Sequence, residues 1–552
     1  MQPLYSSFCE SFHKNLWRAG ADERIIGAPI VATFAQAGFF DQILPEHPQN
    51  VFFRLDTSLN VLGADGQAFM TLREALEQSA TFIPVFYVND SATVDALAAF
   101  AHKNHIADAA VCVPYQKREL LSRVLLLSPM LRRMIDGRTL TAADLQTECD
   151  CYRLAGDTWE ANCATIILPD ALCSRRVVQC LQRRFVQVFA ACGDRSPAPA
   201  TLAGVNGLIC EHPTRAYALF DRLPPDTITR RVLVYAHKGL QNEGENPENT
   251  VTSVTLAQKA GMDGAEIDIK LSRDGVPILM HDFSTNKMLN TTHGQIYEEL
   301  LWDDIRAMER VRHPGEFVDR LEDVMAAIKG KDYFPVMVEF KPREGYYHIE
   351  RMAHMLQNLI DTQDMEYQTV ITMGETPPNL NYVQTVLPRI PKIFGLWENI
   401  KDPADVPTIE AFLFRLTCRM AGKTAVPTLE DVMVNRLFGE QARLRALPPF
   451  VWMRGDYYYP SQWEDACHRS DNALLCGFFG SCADHAARYF HLFLSLCRDE
   501  DGSVWGILRS GERVPVENAQ LCDLGDGYAA YAVRQALPMG QTFVLCTEAF
   551  RV

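Results

Sequence analysis

The sequence predicts an α/β protein made of two tandem (β/α)8 barrels, the second of them catalytic, with a small C-terminal β appendage. Three observations carry this expectation. Short apolar runs alternate with helical patterns, the alternation returns in the second half at a slowly drifting offset, and beyond Asp499 it gives way to brief β runs with glycine-rich turns. The length of 552 residues agrees, since it exceeds one ordinary domain and accommodates two large barrels.

The elements follow in chain order. Residues 1–24 read as an N-terminal segment carrying an amphipathic helix at about 8–22. Residues 25–225 read as the first barrel. Its runs Val85-Phe86-Tyr87-Val88, Ala110-Val111-Cys112-Val113, Thr165-Ile166-Ile167-Leu168 and Phe185-Val186-Gln187-Val188 are apolar on both faces, as strands covered by helices on a parallel sheet must be. Helices at 91–103 and 174–184 separate them. The stretch 221–229, with Pro224-Pro225, reads as a linker. Residues 230–498 read as the second barrel, and 499–552 as strands at 503–508, 528–533 and 542–546 that form an appendage or cap the second barrel.

The halves superpose in sequence. Pro84 precedes Pro335 by 251 residues, Pro169 precedes Pro427 by 258, Phe185 precedes Phe450 by 265, and Leu208 precedes Leu474 by 266. A duplicated domain with small insertions produces such a drift. At the 251 offset Val88 falls on Glu339 and Asp90 on Lys341, so the first barrel is expected to be a degenerate, non-catalytic copy. The roles left to it are packing on the second barrel, shaping its entrance, or assembly into a homo-oligomer.

Composition excludes several classes. With 53 basic and 69 acidic residues the net charge is −16, which disfavours a grip on nucleic acid or an anionic bilayer. The 16 cysteines show no paired zinc-ligand spacing, residues 1–20 lack a basic segment followed by an apolar core, and the apolar stretch 474–497 is interrupted by Asp484, His485 and Arg488. A reduced, cytoplasmic protein without stable membrane insertion is the expectation.

The chemistry-bearing residues cluster after Arg231. The run Val232-Leu233-Val234-Tyr235-Ala236 is a strand that ends in His237-Lys238-Gly239. Pro247-Glu248-Asn249-Thr250 then opens a helix, with Asn249 or Thr250 suited to cap it. In Gly264-Ala265-Glu266-Ile267-Asp268-Ile269-Lys270 alternation turns Glu266 and Asp268 to one face. Two carboxylates side by side on a central strand repel each other, and a divalent cation is the simplest compensation. Arg273-Asp274-Gly275 is a tight turn, followed by a strand running out to His281-Asp282. Val336-Met337-Val338-Glu339-Phe340-Lys341 again turns an acid and a lysine to one face. Each piece alone is ordinary. The ordered set, at the ends of expected barrel strands, marks an active-site mouth.

These motifs resemble the glycerophosphodiester phosphodiesterase family of the TIM-barrel phosphodiesterase superfamily. The resemblance rests on His237-Lys238-Gly239, Pro247-Glu248-Asn249-Thr250, Glu266-Ile267-Asp268, Asp274-Gly275-Val276-Pro277, His281-Asp282 and Glu339-Phe340-Lys341. It implies that Glu266, Asp268 and Glu339 ligate one divalent cation, Mg²⁺ or Ca²⁺ with Mn²⁺ as a further candidate. It also implies His237 and His281 as general acid and base, and Lys238 and Lys341 as phosphate contacts. Trp452 resembles a late-strand tryptophan of the family that contacts substrate. Lys238 stands where the family usually has arginine, which keeps the charge and loses the flat fork. Met453 and Cys476-Gly477-Phe478-Phe479 also depart from the family pattern. The implied activity is metal-dependent hydrolysis of small glycerophosphodiesters to an alcohol and glycerol phosphate, a step in lipid and glycerol metabolism. Two alternatives are a phosphodiesterase acting on lysophospholipid-type diesters and a non-catalytic barrel scaffold.

Overall fold

The computed structural model describes residues 25–394, 476–478 and 492–552, except for 79–81, 107, 231–232, 242–245, 287, 292, 331–332, 342–345, 374–376, 537–539 and 541. The expected N-terminal helix at 1–24 and the matches at Pro427 and Phe450 lie outside the described residues, as does Trp452.

Eight parallel strands form the first barrel: β1 (Ile30–Phe34), β2 (Asn50–Leu55), β3 (Ile83–Tyr87), β4 (Ala110–Pro114), β5 (Arg132–Asp136), β6 (Thr165–Pro169), β7 (Gln187–Gly193) and β8 (Gly207–Cys210). They pair in chain order, and β1 bonds both β2 and β8, so the ring is closed and leaves no edge. Ile30, Ala32, Phe52, Val85, Ala110, Cys112, Met134, Ile167, Phe189 and Ile209 make a separate apolar cluster drawn from all eight strands. That cluster fills the lumen, while Val51, Phe53, Phe86 and Val88 face the surrounding helices. Polar caps start those helices: Asp90 accepts from the Thr93 amide, and Thr147 and Ser174 cap α1 (Glu148–Glu160) and α2 (Arg175–Arg183).

Two expectations for this half need correction. The strand expected at Phe185 begins at Gln187, because Phe185 adopts φ 57, which extended chain cannot contain. The counterpart of Glu339 is Tyr87, not Val88. Arg54 pairs with Tyr87 as Asp268 pairs with Glu339, and Tyr87 borders the lumen whereas Val88 lies in the outer core. A slip of one residue exchanges the two faces of a strand.

The second half places six parallel strands in the order β15-β14-β13-β11-β10-β16, made of β10 (Val234–Ala236), β11 (Gly264–Leu271), β13 (Val336–Phe340), β14 (Thr369–Met373), β15 (Lys392–Phe394) and β16 (Cys476–Phe478). The described residues thus form an arc of six barrel strands in which the late strand β16 returns beside the first, β10. The strand leading to His281-Asp282, β12 (Pro277–Leu279), is antiparallel to β11. It is therefore not a barrel strand, contrary to expectation. The turn at Gly275 (φ 89) folds it back as a hairpin, and it carries His281 to the mouth from the side.

The halves share one core. Leu233, Tyr235, Met337, Val370 and Ile393 of the second pack into the helical layer of the first. Arg184, fully buried at the end of α2, donates to the carbonyls of Tyr367 (3.0 Å), Thr369 (2.9 Å) and Arg389 (3.4 Å). In return Arg389 pairs with Asp157 and Glu160 of α1.

The stretch expected to be a free linker contains a strand. β9 (Thr227–Ile228) pairs with the short strand Ile25–Ile26 on one side and with Thr542–Cys546 on the other. Thr227 is fully buried there, its hydroxyl donating to the Pro224 carbonyl (2.6 Å). The C-terminal strands reach both barrels. Leu524, Ala530 and Val544 pack on Ala198, Leu202 and Leu219, whereas Val533, Phe543 and Leu545 enter the core of the second.

Candidate active site

The second barrel's strands end in a nest of polar side chains. After β10 the chain passes through Lys238 (φ 56) and Gly239 (φ 74), two successive left-handed residues. A side chain at Gly239 would overlap Ser253, whose Oγ lies 2.3 Å from the position of a Cβ, so only glycine fits. This turn aims the Lys238 amide at Glu266 Oε2 (2.9 Å) and the Gly239 amide at the Glu266 carbonyl (3.1 Å).

Glu266 and Asp268 share the inner face of β11, and the β11–β13 register sets Asp268 beside Glu339. Glu266 and Asp268 are fully buried and Glu339 nearly so, and one oxygen from each lies within 4.8 Å of the other two. Glu266 Oε1, Asp268 Oδ1 and Glu339 Oε2 have no hydrogen-bond donor in this structure. Three buried carboxylates gathered this closely, each with an oxygen that accepts no hydrogen bond, have the geometry and hardness of a divalent-cation site. Nitrogen- and sulfur-loving metals fit it poorly.

The electrostatics record the crowding. Burial, then Asp268 and Glu339, push the Glu266 carboxyl well above its usual range. Burial raises Glu339 to about 7 despite Lys341. Burial also works against Asp268, but Lys341, Lys238 and the two imidazoles outweigh it and hold this acid at about 2. Lys341 pairs with Glu339 and lies 3.5 Å from Asp268 Oδ1. Lys238 reaches Glu248 at 3.2 Å.

Both histidines stand at this mouth. His237 Nε2 lies 3.9 Å from Glu266 Oε2, and burial together with Lys238 shifts the ring well below its ordinary value. His281 is more exposed, and its Nδ1 is 3.0 Å from Asp282 Oδ1. The fields of both imidazoles act on Asp268, so residues drawn from three separate stretches of chain are gathered around one acid. Of the eight residues singled out in the sequence, seven meet here; Trp452 is the exception already noted.

Sequence reasoning missed Asn249. Thr250 supplies the helix cap, in a reciprocal arrangement with Ser253. Asn249 instead turns inward at φ 53, donates from Nδ2 to Asp268 Oδ2 (2.9 Å) and accepts from the Asp268 amide (2.9 Å). Buried Arg310 holds the Asn249 carbonyl (3.2 Å). The available signal was that Pro-Glu-Asn-Thr contains two cap-forming residues where a helix needs one. Lys270, on the same face of β11 as the two acids, also neighbours the site. It donates to the Lys341 carbonyl (2.9 Å), lies under the Phe283 ring, and is lowered to about 8 by burial.

Residues 237–439 match the model of the glycerophosphoryl diester phosphodiesterase family. This part of the chain belongs to that family. The domain is 30% identical over 149 residues to a glycerophosphodiester phosphodiesterase of Caldanaerobacter subterraneus, covering 26% of this chain and 58% of that protein. It is 33% identical over 103 residues to human glycerophosphodiester phosphodiesterase 1, covering 17% of this chain and 30% of that protein. The chain therefore spans between three-tenths and three-fifths of the length of these two relatives. Among solved structures, a glycerophosphoryl diester phosphodiesterase from Silicibacter pomeroyi, itself named as putative, is similar at 18% identity. It covers 47% of this chain and 93% of that one, with a TM-score of 0.37. No helix among the described residues is long and apolar enough to cross a membrane.

Proposed function

We propose that the chain hydrolyses glycerophosphodiesters to an alcohol and glycerol phosphate, with one divalent cation, Mg²⁺, Ca²⁺ or Mn²⁺, held by Glu266, Asp268 and Glu339. The observation that carries this reading is the set of three buried carboxylates gathered within 4.8 Å, each with an oxygen that accepts no hydrogen bond. When bound, such a cation supplies charge stabilisation to the phosphoryl oxygens. The remaining work belongs to the side chains. Lys238 and Lys341 offer ammonium groups to the phosphate. The hydrogen bond from His281 to Asp282 favours the tautomer with its proton on Nδ1, which leaves Nε2 free to accept the proton of the attacking hydroxyl. As the new P–O bond forms and the bond to the departing alcohol breaks, a proton must reach the alkoxide. His237 is the second imidazole available for that transfer. Trp452 is proposed as a substrate contact. The first barrel is read as non-catalytic, because no acid–histidine set recurs at its mouth among the described residues.

The test is hydrolysis of glycerophosphocholine and of a chromogenic diester by the purified chain, with and without chelator, alongside His237→Ala. Activity abolished by both treatments is expected; activity surviving both overturns the reading. One feature favours lysophospholipid-type diesters as a second substrate class. Phe283, two residues after His281, is 52% exposed, and Val311 and Phe317, further along the stretch between β12 and β13, are exposed as well. Preference for a lysolipid over glycerophosphocholine, lost in Phe283→Ser, would support it.

A further inference from the structure

The first barrel has a mouth of its own, and its chemistry inverts that of the second. On matching registers, Phe34 takes the place of His237, Phe52 that of Glu266, Arg54 that of Asp268, and Tyr87 that of Glu339. Two guanidiniums converge there on one ring, with Arg54 Cζ 4.1 Å and Arg138 Cζ 4.9 Å from the Phe34 centroid. The single carboxylate of this layer, Asp136, is already engaged. It accepts from Arg138 Nε (2.9 Å) and Nη2 (2.8 Å) and from the Tyr87 hydroxyl (2.9 Å). Arg54 has no hydrogen-bond acceptor among the described residues; its contact is the Phe34 ring. A guanidinium held over an aromatic face by the ring alone keeps its N–H donors uncommitted, in the planar fork that matches two oxygens of an oxyanion. Two cations against one anion leave the layer one positive charge in excess, at the end of a closed barrel where ligands of this fold bind.

We propose that the mouth of the first barrel is a binding site for a tetrahedral oxyanion, inorganic phosphate or a phosphomonoester, held by the free fork of Arg54 and by Nη1 of Arg138. A phosphate suits it better than a carboxylate. Its third and fourth oxygens can meet Arg138 while two engage Arg54, and its higher charge offsets the repulsion between the guanidiniums. The proposal does not depend on the activity of the second barrel, and the two can fail separately.

The test is calorimetric titration of the full chain, without added metal, using inorganic phosphate, glycerol 3-phosphate and acetate in separate runs. Arg54→Met and Arg54→Lys are titrated beside it, and diester hydrolysis is measured in each. The expected result is one phosphate-binding event weakened at least tenfold in both variants, with hydrolysis unchanged. The lysine variant keeps the charge and the fold but loses the fork, so its weakening isolates the geometry. Equal binding of phosphate and glycerol 3-phosphate assigns recognition to the oxyanion alone, and preference for glycerol 3-phosphate assigns it to an organic monoester. Phosphate binding of unchanged affinity and stoichiometry in Arg54→Met, or binding of acetate without phosphate, overturns the proposal.

Discussion

The first barrel closes with eight strands and fills its lumen with apolar side chains, yet its upper layer offers Phe34, Arg54 and Tyr87. The described arc of the second presents His237, Asp268 and Glu339 at the matching positions. Strand count and register are nearly indifferent to this exchange, because the layer in question is held from below by packing and faces the mouth. The difference teaches that architecture sets where chemistry can occur, while a handful of inward side chains decide whether the mouth is acidic or basic.

The comparison can be broken by experiment, beginning with the largest effect. His237→Ala is expected to lower kcat/KM by about 10²–10⁴-fold, whereas Tyr87→Phe in the first barrel leaves diester hydrolysis unchanged. Steady-state kinetics on both variants checks this, and a comparable loss in Tyr87→Phe would end the distinction. Next, Arg184→Met removes the donors of three interior carbonyls at the junction of the halves. It should lower the unfolding free energy by ~2–4 kcal/mol in urea titration. Asn249→Ala frees Asp268 from its amide clamp and should weaken metal binding by about 10–100-fold, read by metal titration as well as by activity. The smallest effect is electrostatic and belongs to the first barrel. Burial opposes ionisation of Glu46, but hydrogen bonds from His212 and Thr214 outweigh it and keep the carboxyl below its usual value. A depressed carboxyl stabilises the fold above its ordinary range and loses that contribution as the pH falls through the folded value. Glu46→Gln should therefore flatten the acid limb of the thermal stability profile by less than about 1 kcal/mol, since exposed pairs of this kind contribute little.

Much of the site was legible because its parts obey simple periodicities. Alternation along β11 turns Glu266 and Asp268 the same way, and the same rule links Glu339 to Lys341. What alternation does not reveal is absolute facing, and this is why Val88 rather than Tyr87 was set against Glu339. Direction along the sheet was equally hidden. β12 looks like any other apolar run, and only the left-handed Gly275 shows that it doubles back. Asn249 was illegible for another reason: capping and clamping draw on the same side-chain chemistry, and the choice between them depends on a strand 19 residues away. The linker strand β9 was hidden because its partners, Ile25–Ile26 and Thr542–Cys546, lie at opposite extremes of the sequence.

That last pairing has a consequence for biosynthesis. β9 leaves the ribosome with its neighbour Ile25–Ile26 already made, but its other edge stays open until more than 300 further residues have emerged. During this interval a bare two-stranded ribbon is offered to any extended peptide nearby. Shielding by chaperones in that window, or truncation ahead of Thr542, should decide how much of the chain reaches its native state and how much aggregates.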